Sequence, residues 1–189
     1  MAKIGCKHFT VAPITSYADG SAPVYGDKVT VEYLVGVDMN FEYASDEMHG
    51  DDLLRESYKG LVGLTAGVSL TDLAHEVAAT MLGWEKGTGK EYAITDKNPP
   101  YIGFGYIACG MKNGVRYYDA IWVYRSQFTK DSMTANTKER NVTFNPDGVT
   151  GAGYGVILDE SGVATFVATE RFATETEADA FINSHITKS

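Results

Sequence analysis

Two short segments of this sequence begin like catalytic or binding motifs, and neither completes one. His75 stands where a zinc-protease helix of the HExxH type would start, but the position of its second histidine holds Ala79. The second imidazole, one helical turn on, is what makes such a zinc site. Residues 87–90 read GTGK, as at the end of a phosphate-binding loop, but Glu91 follows in place of the required serine or threonine. We expect no zinc site at the first segment and a flexible turn at the second.

The remaining reactive side chains show no spacing that indicates a site. The histidines and cysteines are scattered: His8, His49, His75, His185, Cys6 and Cys109. Asp51, Asp52 and Glu76 could do acid–base chemistry, but no feature of the sequence gives them a partner or a pocket. Glycine-rich stretches at 103–105 and 151–155 lack the strand-to-helix setting of a dinucleotide fingerprint. The sequence predicts no metal, no cofactor and no enzymatic activity.

The elements that would position these residues are mostly β-strands. Over residues 61–70, apolar residues alternate with small or polar ones, which is the pattern of a half-buried strand, and residues 29–37 do the same. Asn113-Gly114 suits the two positive φ angles of a type I′ turn, so residues 101–110 and 115–128 should form a hairpin. Shorter strands are predicted at residues 138–144, 154–159 and 163–168.

Two segments have helical spacing instead. Apolar residues recur every three or four positions over residues 70–81, with Ser69 expected as the N-cap and Gly83 as the C-cap. Residues 174–177 have the pattern of a capping box and lead into a second apolar stripe. Each helix has one apolar face, so each should lie on the sheet. The predicted fold is mainly β (α+β), an antiparallel β-sandwich or barrel with two flanking helices in a single domain, residues 1–189.

Composition excludes several classes of function. The chain has 189 residues and a formal net charge of −9, so it is a poor candidate for gripping a phosphate backbone. No apolar run approaches the roughly 20 residues that cross a bilayer, and the start lacks a signal-peptide core. Two cysteines make no disulfide framework, which favours a reducing compartment. We therefore expect a folded, acidic protein made in a cytosol.

Charge is unevenly placed along the chain. Residues 38–56 contain seven acidic residues against Arg55 alone, mixed with apolar residues and without clean periodicity. We expect a long acidic arm here, bounded at about residues 38–58, because long connections inside a domain tend to be functional. Residues 112–140 carry six basic residues against three acidic ones. The two segments would attract each other between copies, although solvated loops and strand edges are the simpler interpretation.

The strand that follows the Asn113-Gly114 turn is apolar on both faces. One face carries Tyr117, Ile121 and Val123, and the other carries Tyr118, Trp122 and Tyr124. Such a strand is usually covered on both sides. Two short helices offer little cover, however, and tyrosine and tryptophan are favoured at subunit interfaces. The sequence does not decide whether the second face belongs to the core of the subunit or to an interface between subunits.

Five segments in order along nearly the whole chain carry a resemblance to a known family. They are residues 1–5 (MAKIG), 77–83 (VAATMLG), 100–106 (PYIGFGY), 112–122 (KNGVRYYDAIW) and 172–178 (FATETEA). Together they resemble the major tail proteins of long-tailed, non-contractile phages of Gram-positive hosts. The resemblance implies the tail-tube type of fold and a structural protein of the virion.

The resemblance also implies an assembly. Six copies would close a ring by joining their sheets, and rings would stack into a hollow tube that conducts DNA into the host cell without binding it specifically. Other tail proteins, such as the tape measure and the tail terminator, would be partners. The protein would be made in the host cytoplasm and reside in the virion tail, with no membrane anchor.

The resemblance also implies which residues would make the contacts of the assembly. The family's long early loop reaches the next ring, and residues 38–56 occupy its place here; the expected inter-ring contacts are Asp38, Phe41, Tyr43, Met48, Leu53 and Leu54. Strands 29–37 and 61–70 and the 101–128 hairpin would build the ring. Its expected interface residues are Tyr118, Trp122, Tyr124, Arg116 and Arg125.

Two rival functions make different predictions. A carbohydrate- or receptor-binding β-sandwich of a phage tail tip would form a discrete oligomer and expose aromatic residues on a loop rim. A small hydrolase using Asp51, Asp52 or Glu76 would have a concave pocket with perturbed carboxylates.

Overall fold

The computed structural model describes residues 2–50, 53–89, 91–133 and 146–187, with residues 2, 48–50 and 53–56 described by their backbone alone. The strands are β1 Ala2–Ser16, β2 Val24–Tyr25, β3 Val29–Val31, β4 Leu34–Gly50, β5 Leu53–Leu70, β6 Glu85–Lys86, β7 Tyr92–Ala93, β8 Ile102–Lys112, β9 Val115–Thr129, β10 Asp147–Gly153, β11 Val156–Ile157, β12 Ala164–Thr165 and β13 Val167–Phe172. The helices are α1 His75–Leu82 and α2 Glu175–Ile186. The fold is mainly β with two helices, as predicted.

One antiparallel sheet organises these elements. Its strand order is β2-β1-β8-β9-β10-β5-β4, with β3 paired to β1 and β13 paired to β9. The long strand β9 thus has two neighbours on one side, because its first half pairs with β13 and its last residues pair with β10. Two small hairpins, β6–β7 and β11–β12, stand apart from this sheet.

The main core lies on one face of the sheet, which curls around it. Leu64, Ala66, Val68 and Leu70 of β5 are buried there, and the residues between them are half-buried. The predicted alternation is therefore confirmed from Leu64 to Leu70. Val62, predicted on the same face, is 60% exposed, at a register shift in the ladder between β4 and β5. Side chains from β1, β8, β9 and β10 enter the same cluster, and the buried side of α1 closes it.

A second cluster forms on the opposite face, where α2 covers β8 and β9. Trp122 is its largest buried side chain, and its ring meets Tyr25 edge-on at 5.3 Å. Thr174 accepts a hydrogen bond from the Glu177 amide, and the Glu177 side chain accepts from the Thr174 amide, so the predicted capping box is confirmed. Glu175 also pairs with Lys7 of β1, which lowers the pKa of that carboxyl.

The tight turn of the β8–β9 hairpin forms as predicted, and β8 packs closely against Trp122. Asn113 and Gly114 have φ of 52° and 80°, as the tight turn requires. Gly105 on β8 has no room for a side chain, because a Cβ there would stand 2.6 Å from the Trp122 ring. A glycine at this position lets the indole approach the strand backbone closely.

The helix α1 begins later than predicted. Ser69 is not its N-cap, because β5 continues to Leu70, which pairs with both Leu34 and Asp147. The helix starts at His75 after Ala74, which makes no side-chain cap. Its predicted end is confirmed, since Gly83 takes the left-handed conformation there with φ 72°.

Strand boundaries differ from the predictions in three places. The predicted strand 29–37 breaks at Tyr33, whose φ is 64°, so that β3 pairs with β1 while β4 pairs with β5. The predicted strands 154–159 and 163–168 shorten to the β11–β12 pair, and β13 follows. Strands β1 and β10 had no predicted counterpart. The predicted strand 138–144 lies outside the described residues.

Candidate assembly surfaces

The acidic segment forms a projecting β-ribbon and is not the irregular connection predicted from its lack of periodicity. Beyond the Leu64–Gly153 pair, β5 leaves β10 and pairs with β4 alone, as far as Gly50 and Leu53. At about 3.3 Å per residue, the stretch from Tyr43 to Gly50 extends about 25 Å. We call residues 41–50 and 53–62 the arm.

Most of the described side chains of the arm are exposed, on both of its faces, whereas Leu61 at its base packs partly against the core. Residues 41–47 and 57–59 are all exposed. Phe41, Tyr43 and Tyr58 leave 45%, 54% and 66% of their surface in water. A two-stranded ribbon without a covering layer is marginally stable in water. An arm of this kind is typical of a segment that packs on another molecule.

The predicted inter-ring residues fall at different heights along this ribbon. Phe41 and Tyr43 lie on the arm, and the Lys59 ammonium stands 5.3 Å from the Tyr43 ring centre. Asp38 lies below it, opposite Gly67 in the sheet. Met48, Leu53 and Leu54 belong to the far end, where His49 pairs with Leu54 and Gly50 with Leu53. Asp51 and Asp52 lie outside the described residues.

The predicted ring-interface residues do not share one surface. Trp122 has no exposed area and Tyr124 is buried beside it, both beneath α2, so neither can reach a neighbouring subunit while the helix stays in place. For these two residues the core interpretation replaces the interface. Tyr118 is half-buried on the same face, and the Lys7 ammonium lies 5.5 Å from its ring centre. Arg116 is exposed at the start of β9, next to the β8–β9 turn, whereas Arg125 lies near the end of the same strand.

Arg125 belongs to a cluster that sequence reasoning missed. Its guanidinium carbon lies 3.9 Å from the ring centre of Tyr101, 5.3 Å from that of Tyr17 and 5.9 Å from that of Tyr154. These tyrosines come from three segments far apart in the chain, so no local pattern could have linked them. We call these four residues the Arg125 cluster.

Several sheet edges are open among the described residues, and the β4 and β13 edges are two of them. Strand β4 pairs with β5 on one side and has no ladder partner on the other, and the same is true of β13 beyond β9. Exposed edges offer unpaired backbone groups to another chain. The first part of β4 comes near β1, where the Cys6 thiol lies 3.9 Å from the Val35 carbonyl oxygen.

The outer face of β4, β5 and β10 is smooth and polar. Among its small residues, added Cβ atoms at Gly36, Gly67 and Gly148 would meet open space. Asp38 contributes an exposed carboxylate, and Glu42 accepts a hydrogen bond from the Thr65 hydroxyl at 2.7 Å. An open depression lies on this face, lined by residues that include Asp38, Gly67 and Thr150.

Carboxylates with shifted pKa values are held by structural contacts. Asp147 accepts a hydrogen bond from the Lys130 ammonium at 2.6 Å and one from the Leu73 amide, which lower its pKa and tie the start of the α1 region to β9 and β10. Glu76, the described member of the hydrolase set, is exposed on α1. Within the described ranges no three acidic, histidine or cysteine residues come together as metal ligands.

The comparisons with known proteins leave the function to be argued from these surfaces. The sequence matches no family model, and no curated protein shows significant similarity to it. In the part of the chain that the structure describes, no helix is long and apolar enough to span a membrane.

Proposed function

We propose that this chain is a structural subunit that self-assembles into stacked hexameric rings, forming the tail tube of a phage through which DNA is ejected. The arm is the main support for the proposal, because it is a long ribbon with exposed aromatic residues that no other described part of the chain covers. The family resemblance of the sequence supplies the ring size and the tube.

The energetics of the arm favour a role in contacts between subunits. A large aromatic side chain buries about 150–250 Å² when fully covered. Covering the exposed half of one such ring is therefore worth about 2–3 kcal/mol at about 25 cal/mol per Å². The three exposed aromatic side chains of one arm would supply a substantial share of the free energy of contact between stacked hexamers, before the ordering cost of association is subtracted.

The open edges and the charge fit the same assembly. Joining the β4 edge of one copy to an open edge of the next is a head-to-tail contact, which closes a ring when the rotation between copies allows it. Ring closure would remove edges that otherwise invite aggregation. The smooth face of β4, β5 and β10, with its small residues and Asp38, is our candidate for a channel wall. Like charge there would keep DNA from sticking.

The first test is electron microscopy of the purified protein over a wide range of concentrations. Rings or hollow tubes with a central channel are the expected result. A discrete small oligomer at every concentration would contradict the tube and favour a binding module of a tail tip. Particles that stay monomeric at the highest soluble concentration, with and without a crowding agent, would also count against self-assembly.

The second test removes the arm without touching the core. Tyr43 pairs with Leu61, so replacing residues 44–60 by Asn-Gly leaves a two-residue hairpin turn between them. We expect a folded monomer with a circular dichroism spectrum close to the parent and no stacked rings. A milder variant, Tyr43→Ser with Tyr58→Ser, has Ile94→Ser as its control, because Ile94 is equally exposed but lies outside the arm. Normal tubes from the shortened chain would refute the role of the arm.

A further inference from the structure

The Arg125 cluster is a preorganised group of side chains on the same side of the sheet as α2. Along β8, Ile102 and Phe104 are two positions apart, yet they pair with Ser126 and Val123 of β9, which are three apart. This bulge gives β9 one extra residue, so the strand changes face at Arg125 while Val123 and Phe128 both enter the core. Bulges often serve to redirect a side chain in this way.

The tyrosines around Arg125 are themselves held in place. The Tyr17 hydroxyl donates to Asp19 at 2.9 Å and accepts from the Ile157 amide at 2.8 Å. The Tyr154 hydroxyl donates to Gln127, and the Tyr154 amide donates to the Arg125 carbonyl oxygen. Tyr101 meets Tyr154 edge-on at 5.7 Å. Because these contacts fix the rings, little conformational entropy is left to lose when a ligand binds.

The guanidinium is held by aromatic rings, and no anion pairs with it in the part of the chain that the structure describes. No carboxylate among the described residues forms an ion pair with Arg125, whereas Arg171 pairs with Asp119, and Lys130 with Asp147. The rings attract its charge but leave its N–H donors without an acceptor in the described part of the chain. Arginine flanked by tyrosines is a composition enriched at the energetic centres of interfaces. A carboxylate from another molecule would supply the hydrogen-bond acceptor that the described residues do not offer the guanidinium.

The arm of another copy supplies carboxylates of the required kind. Asp46 and Glu47 are exposed on it and pair with no cation among the described residues. The arm leaves the sheet at the Leu64–Gly153 pair, and Gly153 also pairs with Ser126, so the base of the arm lies at the level of the cluster along the strands. Asp46 and Glu47 lie on the arm beyond Phe41, about 16–20 Å from that level at about 3.3 Å per residue, so the arm of the same chain runs away from the cluster. A copy displaced by about that distance along the strands, as in the adjacent ring of the proposed stack, brings these carboxylates to the cluster.

We propose that the Arg125 cluster is the receptor for the arm of a neighbouring copy, with the guanidinium binding the carboxylates of Asp46 and Glu47. The inference rests on the proposed self-assembly and names the partner residues in it. It also explains why the arm is acidic: a carboxylate can make two hydrogen bonds to the planar guanidinium.

A charge exchange tests this pairing. Arg125→Glu alone, and Asp46→Lys with Glu47→Lys alone, should each raise the protein concentration needed for assembly by about tenfold or more, as loss of an interfacial charge pair does. A mixture of the two variants, or all three changes in one chain, should recover part of the loss. Lys86→Glu is the control, because Lys86 is an exposed cation on β6, remote from the cluster. Circular dichroism and thermal unfolding verify that each variant folds.

The outcomes separate this inference from the proposed function. Tubes that form normally from Arg125→Glu, or a loss that the arm lysines do not relieve, would overturn the pairing and leave the tube intact. A wild-type chain that never associates would overturn both. If Arg125→Glu fails to fold, Arg125→Gln replaces it: its assembly should be weaker and should respond less to added salt than that of wild type. Equal salt dependence would overturn the pairing.

Discussion

Truncating Trp122 distinguishes a core residue from an interface residue. Its indole is fully buried between the sheet and α2, and its N–H lies 3.3 Å from the Tyr25 hydroxyl oxygen. Trp122→Ala should therefore destabilise the subunit itself. Tyr25 keeps its other hydrogen bond, which it donates to the Tyr124 carbonyl oxygen at 2.8 Å, so the variant leaves no orphaned hydroxyl.

The size of the effect follows from the buried area. Full burial of an aromatic side chain covers about 150–250 Å², which corresponds to an upper value of about 4–6 kcal/mol. Large aromatic residues truncated to alanine in cores cost about 3–5 kcal/mol. We expect a loss of about 4 kcal/mol in the free energy of unfolding. With a urea slope of about 2 kcal/mol per molar, the midpoint should fall by about 2 M.

The assay is urea unfolding of the monomer followed by far-ultraviolet circular dichroism, with assembly measured separately at zero urea. Trp122→Phe retains a ring in the site and should fall between wild type and alanine. Arg116→Ala, an exposed position on the same strand, should change stability by no more than about 0.5 kcal/mol. An unchanged midpoint for Trp122→Ala combined with lost assembly would refute the reasoning and restore the interface assignment.

Three further predictions concern packing, acid stability and helix capping. Gly105→Ala should cost about 1–3 kcal/mol and lower the melting temperature, because its Cβ would press on the Trp122 ring. The Asp147 pKa is lowered chiefly by the hydrogen bond from Lys130, so this ion pair stabilises the fold fully above the unfolded carboxyl pKa of about 4. That contribution is lost as pH falls through the lower folded value, and Asp147→Asn should flatten the pH dependence of the unfolding free energy in acid. Thr174→Ala should cost about 1 kcal/mol in urea unfolding, since it removes the N-cap of α2.

Each of these predictions has a control within the chain. Gly67→Ala should be nearly neutral because its Cβ would meet open space, and equal losses at Gly67 and Gly105 would contradict the packing argument. Asp147→Asn with an unchanged acid profile would show that the ion pair adds no stability. Thr176→Ala, at an exposed position of the first turn of α2, should leave stability within about 0.5 kcal/mol. A loss as large as that of Thr174→Ala would contradict the capping role.

Predictions that depend on neighbouring residues in the chain succeeded best. Asn113-Gly114 has the backbone freedom for the tight turn, and Thr174 with Glu177 closes its capping box within one helical turn. Alternation identified the buried face of β5 from Leu64 to Leu70, because that part of the strand has the core on one side only. These features are encoded by local sterics and by hydrogen bonds over a few residues.

The arm was misjudged for a physical reason. A strand reveals itself by alternation only when its two faces meet different surroundings. Both faces of the arm meet water, so residues 41–47 carry no period that a sequence can display. The two faces of β9 around Trp122 also have similar surroundings, because both are covered by protein. The sequence therefore does not show whether Trp122 is a core or an interface residue, and the docking of α2 on it decides this.

By itself, the sequence determined the fold class, the β8–β9 hairpin, the C-cap of α1, the N-terminal cap of α2, and the acidic character of residues 38–56. The tertiary structure alone decided that this acidic segment projects as a paired ribbon, that Trp122 is covered from within, and that Arg125 stands among three tyrosines and pairs with no carboxylate of the described ranges. Local geometry is fixed by residues a few positions apart. The burial and partners of a side chain depend on segments that only folding brings together.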